Sequence, residues 1–289
     1  MRWQRRPLLG MLMLIRIGYE FVFSAPTATS MLLMLSTHAS RAGTLRRPDW
    51  MHAEPVLHRD DFQDAAGNRC TRIAVPAGGV RLWNDTLVED SGQPDPLQPN
   101  AAQHALHDLP AEALPYLLGS RYCEVDRLSD TAWELFGWTA PGWGRVQAVC
   151  DWVHSHVRFD HAWARPTKSA CDVYLERAGV CRDFAHLAVA FCRCLMIPAR
   201  YATGYLGDIG VPSSDAPMDF SAWFEVFLGG EWRTFDARHN VPRVGRVLMA
   251  RGRDAADVAM TTSFGVNRLE KFAVWAHEIS AGFQGPPGG

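Results

Sequence analysis

The segment Arg177-Ala-Gly-Val-Cys-Arg-Asp-Phe-Ala-His186 carries the sharpest chemical signal in this 289-residue chain. A glycine turn there delivers Cys181 to the first turn of a helix whose apolar stripe runs through Phe184, Leu187, Ala188, Phe191 and Leu195. Unpaired N–H groups and the positive dipole end of a helix favour a thiolate over a thiol. Arg182 adds a positive charge, and Asp183 suits a first turn. A thiolate is the nucleophile of cysteine chemistry, so a reactive Cys181 is expected; the alternative is a cysteine that only packs. The second signal is an apolar hairpin over residues 218–240. Strand alternation turns Ser221, Trp223 and Glu225 to one face and Phe220, Ala222, Phe224 and Val226 to the other. Asp236 ends the second strand, beside the start of the first. A nucleophile on a helix end with partners on an adjacent hairpin is the layout of a Cys-His-Asp site.

Such residues need a scaffold to position them. Residues 11–89 read as short β-like runs (14–23, 31–37, 70–75 and 80–83) separated by turn chemistry such as Pro76-Ala77-Gly78-Gly79. Residues 90–102, with Gly92, Pro94, Pro96 and Pro99, read as a linker. Helices are expected over 109–118, over 128–136 with Ser129 as N-cap, and over 145–159, where Val146, Val149, Cys150, Val153 and Val157 form one stripe. The Cys181 helix follows and ends ahead of Pro198. Strands are expected over 199–205, 220–228 and 232–236, the last two joined at Gly229-Gly230, with a final strand in 268–278. Helices followed by an antiparallel sheet make the fold α+β. The expected division is an N-terminal extension over 1–12, a β-rich domain over 13–95, a core domain over 100–280 and a flexible tail over 281–289.

Composition excludes several classes. With 47% apolar and 21% charged residues the chain reads as an ordinary folded protein. A formal net charge of −2 gives no ground for a nucleic-acid or anionic-membrane partner. No apolar run approaches the roughly 20 residues of a membrane-spanning helix. The run over 8–15 behind Arg2, Arg5 and Arg6 resembles a signal peptide, but Arg16 ends it early and no small-residue cleavage site closes it. The odd and irregular set of seven cysteines is a poor disulfide framework and suits a reducing, cytoplasmic compartment. His154 with His156, and Cys192 with Cys194, lie two apart on helices and are poor metal pairs. Arg243, Arg246, Arg251 and Arg253 read as a solvated or ion-paired face. No oligomeric state follows from the sequence.

Three segments recur in a known order: Gly-Val-Cys-Arg-Asp-Phe-Ala-His at 179–186, Ile-Pro-Ala-Arg-Tyr-Ala-Thr-Gly-Tyr at 197–205, and the Ala-Trp-Phe-Glu-Val hairpin with Phe235-Asp236. On them the chain resembles the transglutaminase-like superfamily, in its bacterial branch of cysteine-protease-like proteins with an N-terminal β-region. The resemblance implies a papain-like core in which Cys181 matches the nucleophile and Asp236 the carboxylate that orients a histidine. It implies acyl transfer on an amide of a peptide or protein through a Cys181 thioester. Water as acceptor would make the chain a peptidase or amidase; an amine would make it a transglutaminase. No cofactor or metal is implied, and calcium, used by some members of the wider superfamily, has no acidic loop here.

One position departs from the pattern. The family's general-base histidine falls immediately before Ala-Trp, and that position is Ser221. A hydroxyl cannot hold a proton near neutral pH as imidazolium does. His239, three residues after Asp236, is the leading replacement base, set against a loop histidine bonded to backbone. His161, in a loop able to line a cleft, ranks below it, and His186 falls on a different helix face from Cys181. Trp223, as a substrate contact, and Glu225 are candidates to shape the site, set against cross-strand packing and a pair for an arginine. The alternative function is a catalytically impaired member that binds a peptide or protein segment in the cleft.

Overall fold

Strict alternation in β1 (Met13–Ser24) sets the first layer. Ile15, Ile17, Tyr19, Phe21 and Phe23 are buried. Between them Arg16 turns out to Asp85, and Glu20 to Arg81 and Lys271. The computed structural model describes residues 12–214 and 216–279. The expected tail and all but the last residue of the expected N-terminal extension lie outside them. The remaining strands of the first section are β2 (Thr29–Leu33), β3 (His52–Glu54), β4 (Arg59–Gln63), β5 (Arg69–Val75) and β6 (Val80–Asp90). Sequence patterning anticipates neither β3 nor β4, because both are largely exposed and lack an apolar run.

The helical section begins with α1 (Val125–Phe136) and α2 (Trp143–His156). Residues 109–118 do not form the expected helix. They hold turns and one 3-10 segment, Leu114–Leu117, because Pro110 and Pro115 lack the N–H groups a helix interior needs. Ser129 lies inside α1 and does not cap it. The stripe expected on α2 is buried as read, but the helix stops at His156 because β7 (Arg158–Phe159) pairs in parallel with β8 (Ala178–Gly179). Between these strands lies α3 (Ala170–Glu176), opened by a capping box in which Ser169 and Asp172 each accept from the other's backbone.

Next come α4 (Cys181–Cys194), β9 (Ala199–Leu206), β10 (Ser221–Leu228), β11 (Glu231–Phe235) and β12 (Arg246–Gly252). The four strands form an antiparallel sheet in the order β11-β10-β9-β12. Phe224, Val226 and Leu228 join the core formed with α1, α2 and α4, while Tyr205, Phe220, Val247 and Met249 join the core of the N-terminal β-section. Helices packed against an antiparallel sheet, together with the N-terminal β-section, confirm the α+β reading.

The chain ends with β13 (Thr261–Phe264) and β14 (Arg268–Ile279). These residues, expected in the core domain, complete the two sheets of the first section: β14 pairs with β1, and β13 with β2. The reason is edge closure, since β1 otherwise presents a long free edge. Gly18 makes that closure possible, because a Cβ there would stand 2.3 Å from the Trp275 ring. No described helix is long and apolar enough to cross a membrane.

Candidate active site

The approach to α4 is fixed before the cysteine is reached. Lys168, fully buried, donates from Nζ to the Ala178 carbonyl at 2.7 Å and pairs with Glu176 at 2.8 Å. Asp183 then accepts from the Val180 N–H at 3.0 Å and closes the first turn of the helix. Gly179 is required by the same contact, since a Cβ there would stand 2.6 Å from the Asp183 carboxylate. Cys181, the first residue of α4, is half-buried, and its thiol donates to the Phe220 carbonyl at 3.9 Å.

This placement works against the expected thiolate. Burial pushes the Cys181 thiol up to about 11; the Arg238 guanidinium draws it down, and Asp219 pushes it higher. Desolvation of the charged form outweighs what the helix end supplies. Arg182 is not the cation that acts on the sulfur. Its guanidinium is held by Asp183 at 3.1 Å and by the Arg165 carbonyl at 2.6 Å. Arg238, beyond the hairpin, takes that place.

Ser221 opens β10 and is buried against Gly204 of β9. Its carbonyl accepts from Thr203 Oγ1 at 3.0 Å, and its own hydroxyl has no hydrogen-bond partner among the described residues. The described residues place no imidazole within hydrogen-bond reach of the Cys181 sulfur.

Asp236 organises the other side. Its Oδ1 accepts the backbone N–H groups of Arg238 and His239 at 3.0 Å each. Its Oδ2 takes Nδ1 of His239 and Nη2 of Arg246, both at 2.8 Å. Arg246 reaches on to Asp95, also at 2.8 Å. Burial alone would raise the Asp236 carboxyl, but the His239 hydrogen bond and the Arg246 charge outweigh it and hold the group well below the usual range.

A cavity of about 1040 Å³ brings Cys181, Ser221, His161, Asp219, Arg238 and His239 to one space. Trp223 is not on its wall: it is buried, its ring against Gly204 and 5.1 Å from the Arg246 guanidinium. Glu225 pairs with Arg200 at 2.6 Å. His186 is a core residue, stacked on Tyr122 and accepting the Ala255 N–H at 3.1 Å. His154 bonds the Arg238 carbonyl, while His156 stacks on Trp152. Arg246, Arg238 and Asp219 are site residues the sequence reading missed. For Arg246 there is a readable signal, an arginine opening the apolar run Val247-Leu248-Met249, where burial demands a carboxylate. Chemically, the arrangement offers a desolvated thiol, a carboxylate-held imidazole and an unneutralised guanidinium around one peptide-sized space.

The family model described as Transglutaminase-like superfamily matches residues 130–237. The fold is similar to a crystal structure of a candidate cysteine protease from Cytophaga hutchinsonii, with a TM-score of 0.80 and 30% identity over 95% of this chain and 93% of that one. An uncharacterized protein of Mycobacterium leprae is 31% identical over 121 residues, 39% of this chain and 42% of that protein. One of Mycobacterium tuberculosis is 35% identical over 96 residues, 30% and 31% of the two chains. The match spans less than half the length of these mycobacterial relatives.

Proposed function

The chain belongs to the transglutaminase-like superfamily, and from that premise we propose that it performs cysteine-dependent acyl transfer on amide bonds of a peptide or protein. The observation that carries this reading is the Asp236–His239 pair, whose imidazole borders the same cavity as Cys181. Asp236 accepts from Nδ1–H and thereby fixes the tautomer that leaves Nε2 free to take a proton. As Cys181 Sγ bonds to the carbonyl carbon, a bridging water in the cavity carries the thiol proton to Nε2 of His239, which does not reach the sulfur directly. The C–N bond then breaks, and the amine leaves with that proton. Water cleaves the resulting thioester, releasing the acid and restoring the thiol; an amine acceptor gives a new amide instead. The backbone N–H groups of Ala222 and Arg182, which face the sulfur, are available to a developing oxyanion. From the protein, these steps use side chains and backbone only. Seven free cysteines support a reducing, cytoplasmic setting for this chemistry.

Turnover of an unstructured protein substrate tests the reading. Cys181→Ala is expected to abolish it with the circular dichroism unchanged, and His239→Gln to lower kcat/KM by roughly a hundredfold or more. Full turnover in Cys181→Ala overturns it.

A second reading, an impaired member that binds peptide in the cleft, is favoured by Ser221, whose hydroxyl has no partner where the family pattern has its imidazole. Ser221→His separates the two. It creates or raises turnover if the remaining machinery is intact, and changes nothing if the cleft serves only binding.

A further inference from the structure

Four arginines border the Cys181 cavity, and three of them are occupied. Arg165 is held by Glu176 at 2.6 Å, Arg182 by Asp183 at 3.1 Å, and Arg243 by the Gly207 carbonyl at 2.9 Å. Arg238 differs. Its guanidinium lies 3.8 Å over the Phe159 ring and makes no ion pair or hydrogen bond among the described residues. An aromatic face fixes a guanidinium in plane while leaving its N–H fork open, a geometry suited to bidentate capture of a carboxylate. The carboxylate of Asp219 borders the same cavity but forms no ion pair with Arg238, its backbone-bonded oxygen instead accepting the Phe220 N–H at 2.6 Å. Arg238 and Cys181 line the same cavity, and the guanidinium charge draws the Cys181 thiol down.

We infer that Arg238 is a specificity-determining residue that binds a carboxylate of the substrate, so that the Cys181 site acts on acidic peptides. The inference rests on the proposed acyl-transfer site and names its substrate class.

Two measurements on the intact protein test it and keep the two readings apart. The first compares alkylation of Cys181 by iodoacetate and by iodoacetamide, followed by mass spectrometry and normalised to free cysteine. The normalised preference for the anionic reagent is expected to fall roughly fivefold in Arg238→Gln, to survive in Arg238→Lys, and to rise in Asp219→Asn. A preference unchanged in Arg238→Gln overturns the inference. The second uses Cys181→Ala protein and two dye-labelled tetrapeptides that differ only in Glu for Gln. The Glu peptide is expected to bind roughly fivefold tighter, with the difference lost in Arg238→Gln. If that difference appears while the native protein turns over no amide, the carboxylate subsite stands and the acyl-transfer reading falls. If the two peptides bind alike in Cys181→Ala protein, the inference falls whatever the turnover.

Discussion

His239 Nδ1 lies 2.8 Å from Asp236 Oδ2, three residues earlier in the chain, so one tight turn builds a carboxylate–imidazole pair without help from another element. The tertiary structure adds Arg246 to the same oxygen. Asp236→Asn leaves Arg246 buried with Asp95 as its remaining carboxylate and is expected to cost about 3 kcal/mol. The pH dependence has a definite sign. The folded-state carboxyl is depressed, so its contribution is present above the unfolded value of about 3.9 and is lost as pH falls below it. Urea midpoints at pH 6 and pH 3 check this: the gap between native protein and Asp236→Asn should be widest at pH 6 and already narrower at pH 3, where part of the contribution is gone.

Glu176 adds to the same acid window from the other side of the site. The Arg165 and Lys168 hydrogen bonds outweigh its desolvation and hold its carboxyl at about 2. Its share of stability is therefore complete above the unfolded value, about 4.3, and disappears as pH falls toward 2. Glu176→Gln leaves Lys168 fully buried with the Ala178 carbonyl as its remaining acceptor. The expected result at pH 7 is a lower urea midpoint, with a smaller further loss on acidification than the native protein shows.

The thiol of Cys181, raised to about 11 chiefly by burial, should alkylate slowly at neutral pH. Its rate should climb about tenfold per pH unit with no plateau below neutrality, since only the thiolate reacts. A plateau below pH 7 would show an imidazolium partner that the geometry does not contain. Ser221→His introduces such a partner, and the neutral-pH alkylation rate is expected to rise tenfold or more.

Gly179→Ala drives a methyl group against the Asp183 carboxylate and its Cβ, both closer than any real Cβ contact. Either the first turn of α4 shifts or the Val180 N–H loses its acceptor. A loss of about 2 kcal/mol is expected, together with faster alkylation of Cys181 as its seat loosens. Thermal unfolding and the iodoacetamide rate check the two effects separately.

Much of this was legible in the residues themselves. The stripe Val146, Val149, Cys150 and Val153, the apolar face of α4 and the hairpin about Gly229-Gly230 are periodic signals, and each element forms where its period places it. The approach of His239 to Asp236 was legible in part, because a spacing of three residues in a turn keeps the two side chains within reach. What failed locally failed for local reasons: Pro110 and Pro115 break a helix that composition alone would allow.

Sequence by itself determined the α+β order, the place of Cys181 at a helix start, the Asp236 carboxylate and the absence of histidine at 221. Each depends on nearest-neighbour chemistry, period or identity. Tertiary structure alone decided that β14 returns to pair with β1, that Arg246 seats itself on Asp236, and that Arg238 rather than Arg182 acts on the sulfur. It also set the burial that pushes the Cys181 thiol up. Charge, desolvation and ion pairing depend on distances between segments far apart in the chain, and one strand of sequence fixes none of those until the core has closed around them.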